Sequence, residues 1–352
     1  MIETKGYAAF DTDSPLAPFN FERRDVGPHD VLIEILFCGV CHSDLHTAKG
    51  EWGGALYPVV PGHEIVGRIV RVGEHVKKFR EGEMAGVGCM VGSCQSCPSC
   101  NDGLEQYCEQ GFIGTYNSPE PGLETPTYGG YSNQIVVSED FVLRIQEGQD
   151  LARVAPLLCA GITTFSPLRH WGVGEGHKVG VVGLGGLGHM AVKLAASMGA
   201  EVTVLSTSPN KEADAQALGA HKFVVTKDPE ALKQVSNYFD FIINTVSAKV
   251  SLGMYASLLR RDGTMILLGV PPEAPELHAG ILISGRRRIA GSLIGGIAET
   301  QEMLDYCAQH NILSDIEVIN INQINTAYDR MLAGDVKYRF VIDMASLENT
   351  SA

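Results

Sequence analysis

The feature that most constrains the fold is a glycine turn between a β-branched run and a helical pattern. Residues 178–182 read KVGVV, residues 183–188 read GLGGLG, and a helix-like segment follows over 189–198. This is the pattern G-x-G-x-x-G in the context where backbone N–H groups at a helix start hold a pyrophosphate. We therefore expect a phosphate cradle whose members are Gly183, Leu184, Gly185, Gly186, Leu187 and Gly188.

Further apolar runs follow this turn at regular intervals, over 201–206, 222–226, 239–246 and 263–270. They are separated mostly by helix-like segments. Strands that alternate with helices form a parallel sheet with right-handed crossovers, so the α/β class with a doubly wound, Rossmann-type domain is predicted. A dinucleotide should then lie along the carboxyl ends of the strands.

The end of the second predicted strand indicates which dinucleotide binds. Enzymes that use NAD usually carry Asp or Glu there, which bonds the ribose 2′-hydroxyl. This chain has Ser206, Thr207 and Ser208 instead, with Lys211 just beyond. Hydroxyl donors and an ammonium group favour a 2′-phosphate, so NADP is predicted. The alternative is that the same residues only cap the next helix.

Four of the nine cysteines lie on one turn-rich segment, with the spacing C-x2-C-x2-C-x7-C. They are Cys94, Cys97, Cys100 and Cys108. Four thiolates in tetrahedral array form a closed structural zinc site. Paired disulfides and an iron–sulfur cluster are the alternatives.

A second group of metal-ligating residues is dispersed along the chain. Cys41, His63 and Cys159 supply two thiolates and an imidazole, which leave one corner of a tetrahedral zinc open for chemistry. Taken alone, Cys159 reads as buried core, because the preceding residues are apolar. Buried core is also the interpretation for the three remaining cysteines, Cys38, Cys89 and Cys307.

Size and charge limit the remaining possibilities. A chain of 352 residues exceeds one core of ordinary size, so two domains are expected. The net charge of −14 argues against nucleic acid as a partner. The first ten residues lack a secretory pattern, and the most apolar window carries charges and many glycines. A cytoplasmic protein without membrane segments is expected.

The motifs together resemble the zinc-containing medium-chain alcohol dehydrogenases, and among them the cinnamyl-alcohol-dehydrogenase-like, NADP-dependent aldehyde reductases. Besides the glycine turn and the four-cysteine segment, the resemblance rests on GVCHSDLH at 39–46, GHEIVG at 62–67, YGGY at 128–131, CAGIT at 159–163 and YRFV at 338–341. It implies a GroES-like, β-barrel-type catalytic domain over 1–157 and 295–352, with a zinc lobe at about 89–112. The Rossmann domain would occupy 158–294, with the active cleft between the domains.

The resemblance also implies roles for individual residues around the catalytic zinc. Cys41, His63 and Cys159 would hold the metal, and Glu64 could enter its coordination sphere. Asp44 would orient His63. Ser43 and His46 would form a proton relay to solvent.

Other residues are implied to contact the cofactor or the substrate. Those expected at the cofactor are His42, Thr163, Gly269, Val270 and Arg339. Trp52 and Met90 would line the substrate pocket and favour apolar or aromatic aldehydes.

The expected reaction is hydride transfer between NADP(H) and a primary alcohol or its aldehyde, with aldehyde reduction as the dominant direction and a homodimer as the assembly. A polyol or secondary-alcohol dehydrogenase is the alternative within enzymes. A non-catalytic NADPH-binding scaffold and a redox sensor are the alternatives of another class.

Overall fold

The computed structural model describes residues 1–120, 122–271 and 273–349. The chain divides into two compact units: unit 1 comprises residues 1–159 and 295–352, and unit 2 comprises residues 160–294. Unit 2 is therefore a continuous segment inserted into the sequence of unit 1.

The strands, in chain order, are β1 (Ile2–Ala8), β2 (Ala17–Arg23), β3 (Asp30–Val40), β4 (Ile65–Val72), β5 (Met84–Val87), β6 (Met90–Gly92), β7 (Ile113–Gly114), β8 (Gln134–Ser138), β9 (Leu143–Arg144), β10 (Lys178–Val182), β11 (Glu201–Ser206), β12 (Lys222–Val225), β13 (Phe239–Asn244), β14 (Leu259–Leu267), β15 (Arg288–Gly291), β16 (Ile316–Asn320) and β17 (Arg339–Asp343).

The α-helices are α1 (His42–Ala48), α2 (Pro98–Asn101), α3 (Leu151–Val154), α4 (Ala160–His170), α5 (Gly186–Ser197), α6 (Glu212–Ala217), α7 (Pro229–Gln234), α8 (Leu252–Leu258), α9 (Ala279–Gly285), α10 (Ile297–Gln309) and α11 (Ile324–Leu332). Short 3₁₀ turns lie at Glu105–Tyr107, Glu139–Phe141, Ala155–Leu158, Pro209–Lys211, Ile321–Gln323 and Met344–Asn349. No single helix in the described ranges is long and apolar enough to cross a membrane; only the bent pair Leu151–Leu158 and Ala160–His170 reaches that length and composition together.

Unit 2 is a six-stranded sheet in the order β12-β11-β10-β13-β14-β15, and every neighbouring pair is parallel. The prediction of a doubly wound parallel sheet is thus confirmed. Its central strands are buried almost throughout, as expected for a sheet covered on both faces. Strand β14 begins four residues before the predicted run, because Leu259 already pairs with Phe239 ahead of an irregularity in the register.

The glycine turn connects β10 to α5, and two of its glycines are required by the geometry. Gly183 has φ +87°, in the left-handed region, and a Cβ there would lie 2.7 Å from a methyl of Val246. A Cβ on Gly188 would lie 2.3 Å from the Gly183 carbonyl oxygen. Any larger side chain would therefore push α5 away from the strand that precedes it.

Unit 1 is built on a mixed sheet in the order β16-β17-β3-β4-β5-β9, with β8 also paired to β3. All its pairs are antiparallel except β16 with β17. Two small sheets, β1-β2 and β6-β7, complete the unit. Strand β3 is the longest, and it contacts three neighbours and leads directly into Cys41. The sheet thus places the start of α1 at the end of its best-supported strand.

Candidate active site

Helix α1 brings several predicted residues together because its first turn is fixed by Asp44. Cys41 is the N-cap, and the Cys41 N–H donates to Asp44 Oδ2 at 2.9 Å in a capping box. The fully buried Asp44 carboxylate also accepts from His63 Nδ1 at 2.9 Å, from the Gly62 N–H at 3.0 Å and from the Tyr131 hydroxyl at 3.2 Å. One carboxylate therefore orients both the Cys41 backbone and the His63 ring.

Glu64 follows His63 into the interior and forms a buried ion pair with Arg339, through Oε1. Its other oxygen, Oε2, is buried without a hydrogen-bond partner among the described residues. A Cβ on Gly39 would overlap that oxygen at 1.8 Å, so only glycine leaves room for the carboxylate. Burial raises the pKa of Glu64, and the charge of Arg339 opposes that rise.

The ligand atoms of Cys41, His63, Glu64 and Cys159 all lie within 4.8 Å of one another. The two sulfurs, of Cys41 and Cys159, are 4.0 Å apart. Thiolates bound at about 2.3 Å to one tetrahedral zinc would be about 3.8 Å apart. The donor set of two sulfurs, one imidazole and one carboxylate therefore fits Zn²⁺.

The ionisation of these thiols also fits a cation. The hydrogen bond with Cys159 holds the pKa of Cys41 well below its usual value, and the same bond raises the pKa of Cys159. Two adjacent sulfurs resist losing both protons unless a positive charge neutralises them, which a metal does. Cys89, which the sequence suggested was plain core, donates to the Leu158 carbonyl at 3.7 Å, and the hydrogen bond with Cys159 lowers its pKa.

The four-cysteine segment closes on itself around α2. Cys94, Cys97, Cys100 and Cys108 have sulfurs within 4.8 Å of one another, and the Cys94 and Cys100 sulfurs are 3.9 Å apart. Backbone N–H groups donate to three of the four sulfurs, at 3.4–3.5 Å. Donors from Ser96 and Cys97 lower the pKa of Cys94 to about 6. None of the nine cysteines forms a disulfide. The lobe thus offers four sulfurs to one ion, as a structural zinc requires.

The two predicted relay residues lie on α1, and a third group joins them. Ser43 Oγ lies 3.6 Å from the Cys41 sulfur. His46 Nδ1 is 2.5 Å from Glu51 Oε2, and the His46 ring lies against the Trp52 ring with centroids 5.1 Å apart. Sequence reasoning missed Glu51. The sequence does indicate a possible contact, because Glu51 lies five residues after His46 and directly follows a glycine at which the chain turns back.

In unit 2, the residues predicted to bind the phosphates of the nucleotide lie at the glycine turn and at the end of β11. A Cβ on Gly185 would meet no described atom within 4 Å, so the backbone there is open to a ligand. Lys211 Nζ donates to the Leu184 carbonyl at 3.0 Å, which places its charge at the turn. Ser206 is buried at the end of β11, and its hydroxyl accepts from the Ser208 N–H at 3.2 Å, while Thr207 is exposed. Lys211, three hydroxyls and an open glycine backbone are chemically suited to a phosphorylated ribose.

The remaining predicted residues are more scattered. In unit 2, Thr163 is buried in α4, and Gly269 and Val270 follow β14, where Val270 is 70% exposed. In unit 1, His42 is exposed at the start of α1, and Met90 is buried in β6.

Arg339 was expected to contact the cofactor. The structure places it in a buried pair with Glu64, and its contact with a cofactor stays a prediction.

Comparison with known proteins gives a consistent result. Residues 27–147 match the alcohol dehydrogenase GroES-like domain, and residues 186–309 match the zinc-binding dehydrogenase domain. An aldehyde reductase of Escherichia coli is 56% identical over 98% of this chain and 99% of its own length. An NADP-dependent alcohol dehydrogenase C of Mycolicibacterium smegmatis is 54% identical over 99% and 100%. The solved structure of a cinnamyl alcohol dehydrogenase from Sorghum bicolor superposes with a TM-score of 0.95 at 45% identity, over 97% and 98% of the two chains.

Proposed function

Since the chain belongs to the zinc-binding alcohol dehydrogenases with a GroES-like domain, we propose that it is an NADP-dependent aldehyde reductase acting on aromatic and aliphatic aldehydes. The observation that carries the proposal is the convergence of the Cys41, His63 and Cys159 ligand atoms within 4.8 Å of one another and of Glu64. Such a set, with only two thiolates and one imidazole as constant ligands, leaves a coordination position for substrate.

Two zinc ions per chain would be held, one by Cys41, His63 and Cys159 and one by the four-cysteine lobe. A zinc ion held by Cys41, His63 and Cys159 would polarise the carbonyl oxygen of the aldehyde, and bound NADPH would supply the hydride. Asp44 holds the His63 ring through Nδ1, which would leave Nε2 free to bind the metal. Glu64, whose Oε2 has no hydrogen-bond partner among the described residues, would serve as a reserve ligand.

The proton for the product alcohol would travel along α1. Ser43 Oγ lies beside the metal ligand Cys41, and His46 is one turn further along the helix. The Glu51 carboxylate accepts from His46 Nδ1, which leaves Nε2 to take up or release a proton. The Glu51 carboxylate thereby fixes the orientation of the His46 ring, and we propose that this ring exchanges protons with solvent.

The preference for NADP rests on unit 2. The 2′-phosphate would be bound by Lys211 at the glycine turn and by the hydroxyls of Ser206, Thr207 and Ser208. Strand β11 ends without a carboxylate that would repel this phosphate. The names of the relatives point the same way, because one is an NADP-dependent alcohol dehydrogenase.

A homodimer in the cytoplasm completes the proposal. Strand β15 is paired on one side only within the described sheet, so its other edge is able to pair with a second copy. Nine reduced cysteines are suited to a reducing compartment. Light scattering coupled to size-exclusion chromatography tests the dimer.

The substrate class is tested by steady-state kinetics of the zinc-loaded protein. We expect kcat/KM for benzaldehyde and cinnamaldehyde with NADPH to exceed that for sorbitol with NADP by about 100-fold or more, because Trp52 offers an aromatic contact beside His46. Sorbitol oxidation of equal or greater efficiency would instead identify a polyol dehydrogenase. Loss of zinc from an inactive protein would be detected by metal analysis of the same sample.

The coenzyme assignment is tested by replacing Thr207 with Asp and Lys211 with Ala. A carboxylate repels the 2′-phosphate and accepts from a ribose hydroxyl, so the ratio of kcat/KM for NADPH to that for NADH should fall about 100-fold or more. Lys227→Ala, an exposed lysine after the neighbouring strand β12, is the matched control and should leave the ratio unchanged. An unchanged ratio in the double variant would remove these residues from coenzyme selection.

A further inference from the structure

Residues 50–56 form a loop that carries two groups against His46. Glu51 contacts the His46 ring nitrogen Nδ1 at 2.5 Å, and the Trp52 ring lies 5.1 Å from the His46 ring. The position of this loop therefore determines whether His46 has its carboxylate partner. The inference below rests on the proposed role of His46 in proton transfer.

The loop is attached firmly at its beginning, whereas its middle has one internal backbone hydrogen bond, from the Gly53 N–H to the Gly50 carbonyl at 3.0 Å. The Gly50 N–H donates to the Thr47 carbonyl at 3.0 Å, and the Glu51 N–H donates to the His46 carbonyl at 2.9 Å. Gly53 and Gly54 follow with φ of +74° and +69°, and a Cβ on either would meet no described atom within 4 Å. Glycines in open space give the backbone wide conformational freedom.

Asn117 holds the far end of the loop. Its Oδ1 accepts from the Leu56 N–H at 2.7 Å, and its Nδ2 makes a longer contact with the Gly54 carbonyl at 3.5 Å. Asn117 has φ 58°, and its own N–H donates to the Thr127 carbonyl at 3.0 Å. The preceding residue, Tyr116, lies against the His63 ring with centroids 5.7 Å apart. Asn117 thus connects the loop to a segment that lies next to the proposed metal site.

We propose that Asn117 is a positioning residue, whose side chain holds the 50–56 loop so that Glu51 and Trp52 stay against His46. Without the Oδ1 acceptor, the Leu56 N–H would turn to water and the glycine pair would let the loop move. Asn is suited to this position because it tolerates the left-handed backbone and accepts a hydrogen bond at the same time.

The experiment uses Trp52 as a reporter, because the chain has only one other tryptophan, Trp171. The parent is zinc-loaded Trp171→Phe protein. It is compared with three zinc-loaded variants that carry, in addition, Asn117→Gly, Asn117→Ser or Asn117→Asp. Gly removes the side chain without backbone strain at φ 58°, Ser is too short to reach Leu56, and Asp keeps the acceptor. Asn311→Gly is the matched control, since Asn311 is also left-handed and exposed.

Trp52 is already 56% exposed. We therefore expect acrylamide quenching of Trp52 to rise only about 1.5-fold in Asn117→Gly and Asn117→Ser, with kcat/KM for benzaldehyde about three- to tenfold lower, as for loss of one hydrogen bond. Asn117→Asp and Asn311→Gly should stay near the parent in both measurements. Unchanged quenching in Asn117→Gly and Asn117→Ser, or equal loosening in Asn117→Asp, would overturn the proposal. The fluorescence measurement needs no turnover, so it decides the role of Asn117 even if benzaldehyde proves not to be a substrate.

Discussion

Asp44 is the residue on which the metal-binding geometry depends most directly. Both of its oxygens accept two hydrogen bonds, Oδ1 from Gly62 and His63, and Oδ2 from Cys41 and Tyr131. An amide in its place must turn an NH₂ group toward one of these donor pairs. Buried donors that face another donor lose their partners at a cost of about 1–3 kcal/mol each.

Replacement of Asp44 by Asn should therefore weaken zinc binding at the catalytic position by about 10–100-fold, the range for loss of a carboxylate behind a metal-bound histidine. The measurement is competition with a chromophoric chelator. Zinc in the four-cysteine lobe should be retained, so about one ion per chain should be released more readily.

Tyr131→Phe provides the comparison, because it removes only the bond to Oδ2 and leaves His63 held. Its zinc affinity should fall by less than that of Asp44→Asn. Equal zinc affinity in Asp44→Asn and the parent protein would contradict the role given to this carboxylate.

At the scale of residues, sequence reasoning named donor atoms that the structure brings together, because ligand types and local spacing are visible in a motif. It missed pairings set by the fold. Arg339 and Glu64 are 275 positions apart, and only the pairing of β17 with β3 brings them together. Glu51 was overlooked because a turn, rather than a helical repeat, returns it to His46.

Among the elements, β3 is anchored at its beginning by a charged contact. Asp30, its first residue, accepts from Arg24 Nη2 at 2.9 Å and from the Gly27 N–H at 2.7 Å. Burial raises the pKa of Asp30, but the hydrogen bonds and the charge of Arg24 outweigh this and hold it below the usual value. The ionised carboxylate thus stabilises the start of the strand that leads to Cys41.

This pairing predicts a pH-dependent stability difference. A carboxylate whose pKa is lowered on folding contributes fully above its unfolded pKa of about 3.9, and the contribution is lost as pH falls through the folded value. Asp30→Asn should therefore lower the free energy of unfolding by about 1 kcal/mol at pH 7, allowing for solvent screening of the partly exposed pair. This difference in the free energy of unfolding between the parent and Asp30→Asn should disappear below about pH 4.

Urea unfolding of the parent and of Asp30→Asn between pH 3 and pH 7 measures the gap. Asp329→Asn, on the exposed side of α11, is the control that should show no gap. A gap that stays constant down to pH 3 would mean that the charge of Asp30 does not matter to β3.

Five strands of unit 2, β10 to β14, were predictable because each contains a continuous apolar run between mostly helical segments. Unit 1 was less predictable. Its strands are short, several pair across long loops, and β6 and β7 pair only because the cysteine lobe between them folds back. Such pairings depend on tertiary contacts that leave no periodic pattern in the sequence.

For the whole molecule, the distribution of sites between the units predicts an uneven response to metal removal. Both thiolate clusters lie in unit 1, whereas the glycine turn and Lys211 lie in unit 2. Metal binding stabilises the structure that forms its site. Chelation should therefore accelerate amide hydrogen exchange in residues 93–111 about tenfold or more, with a smaller rise in residues 41–64 and little change in β10 and β11.

Hydrogen exchange followed by mass spectrometry measures this response peptide by peptide. Addition of NADPH to the chelated protein provides the converse control, and it should slow exchange at residues 183–211. A uniform rise in exchange across both units after chelation would show that the clusters stabilise the chain as a whole.

The ion pair of Glu64 and Arg339 also has a consequence for how the protein is made on the ribosome. Unit 2 is continuous, so all its strands have been synthesised once residue 294 has emerged. Strand β17, which carries Arg339, is the last strand in the described part of the chain. Until it emerges, Glu64 lacks its positive partner and β3 lacks a neighbour, even though Cys41, His63 and Cys159 were translated long before. The proposed catalytic pocket is therefore completed late in synthesis, whereas the four-cysteine lobe is complete by residue 108 and available to an ion early.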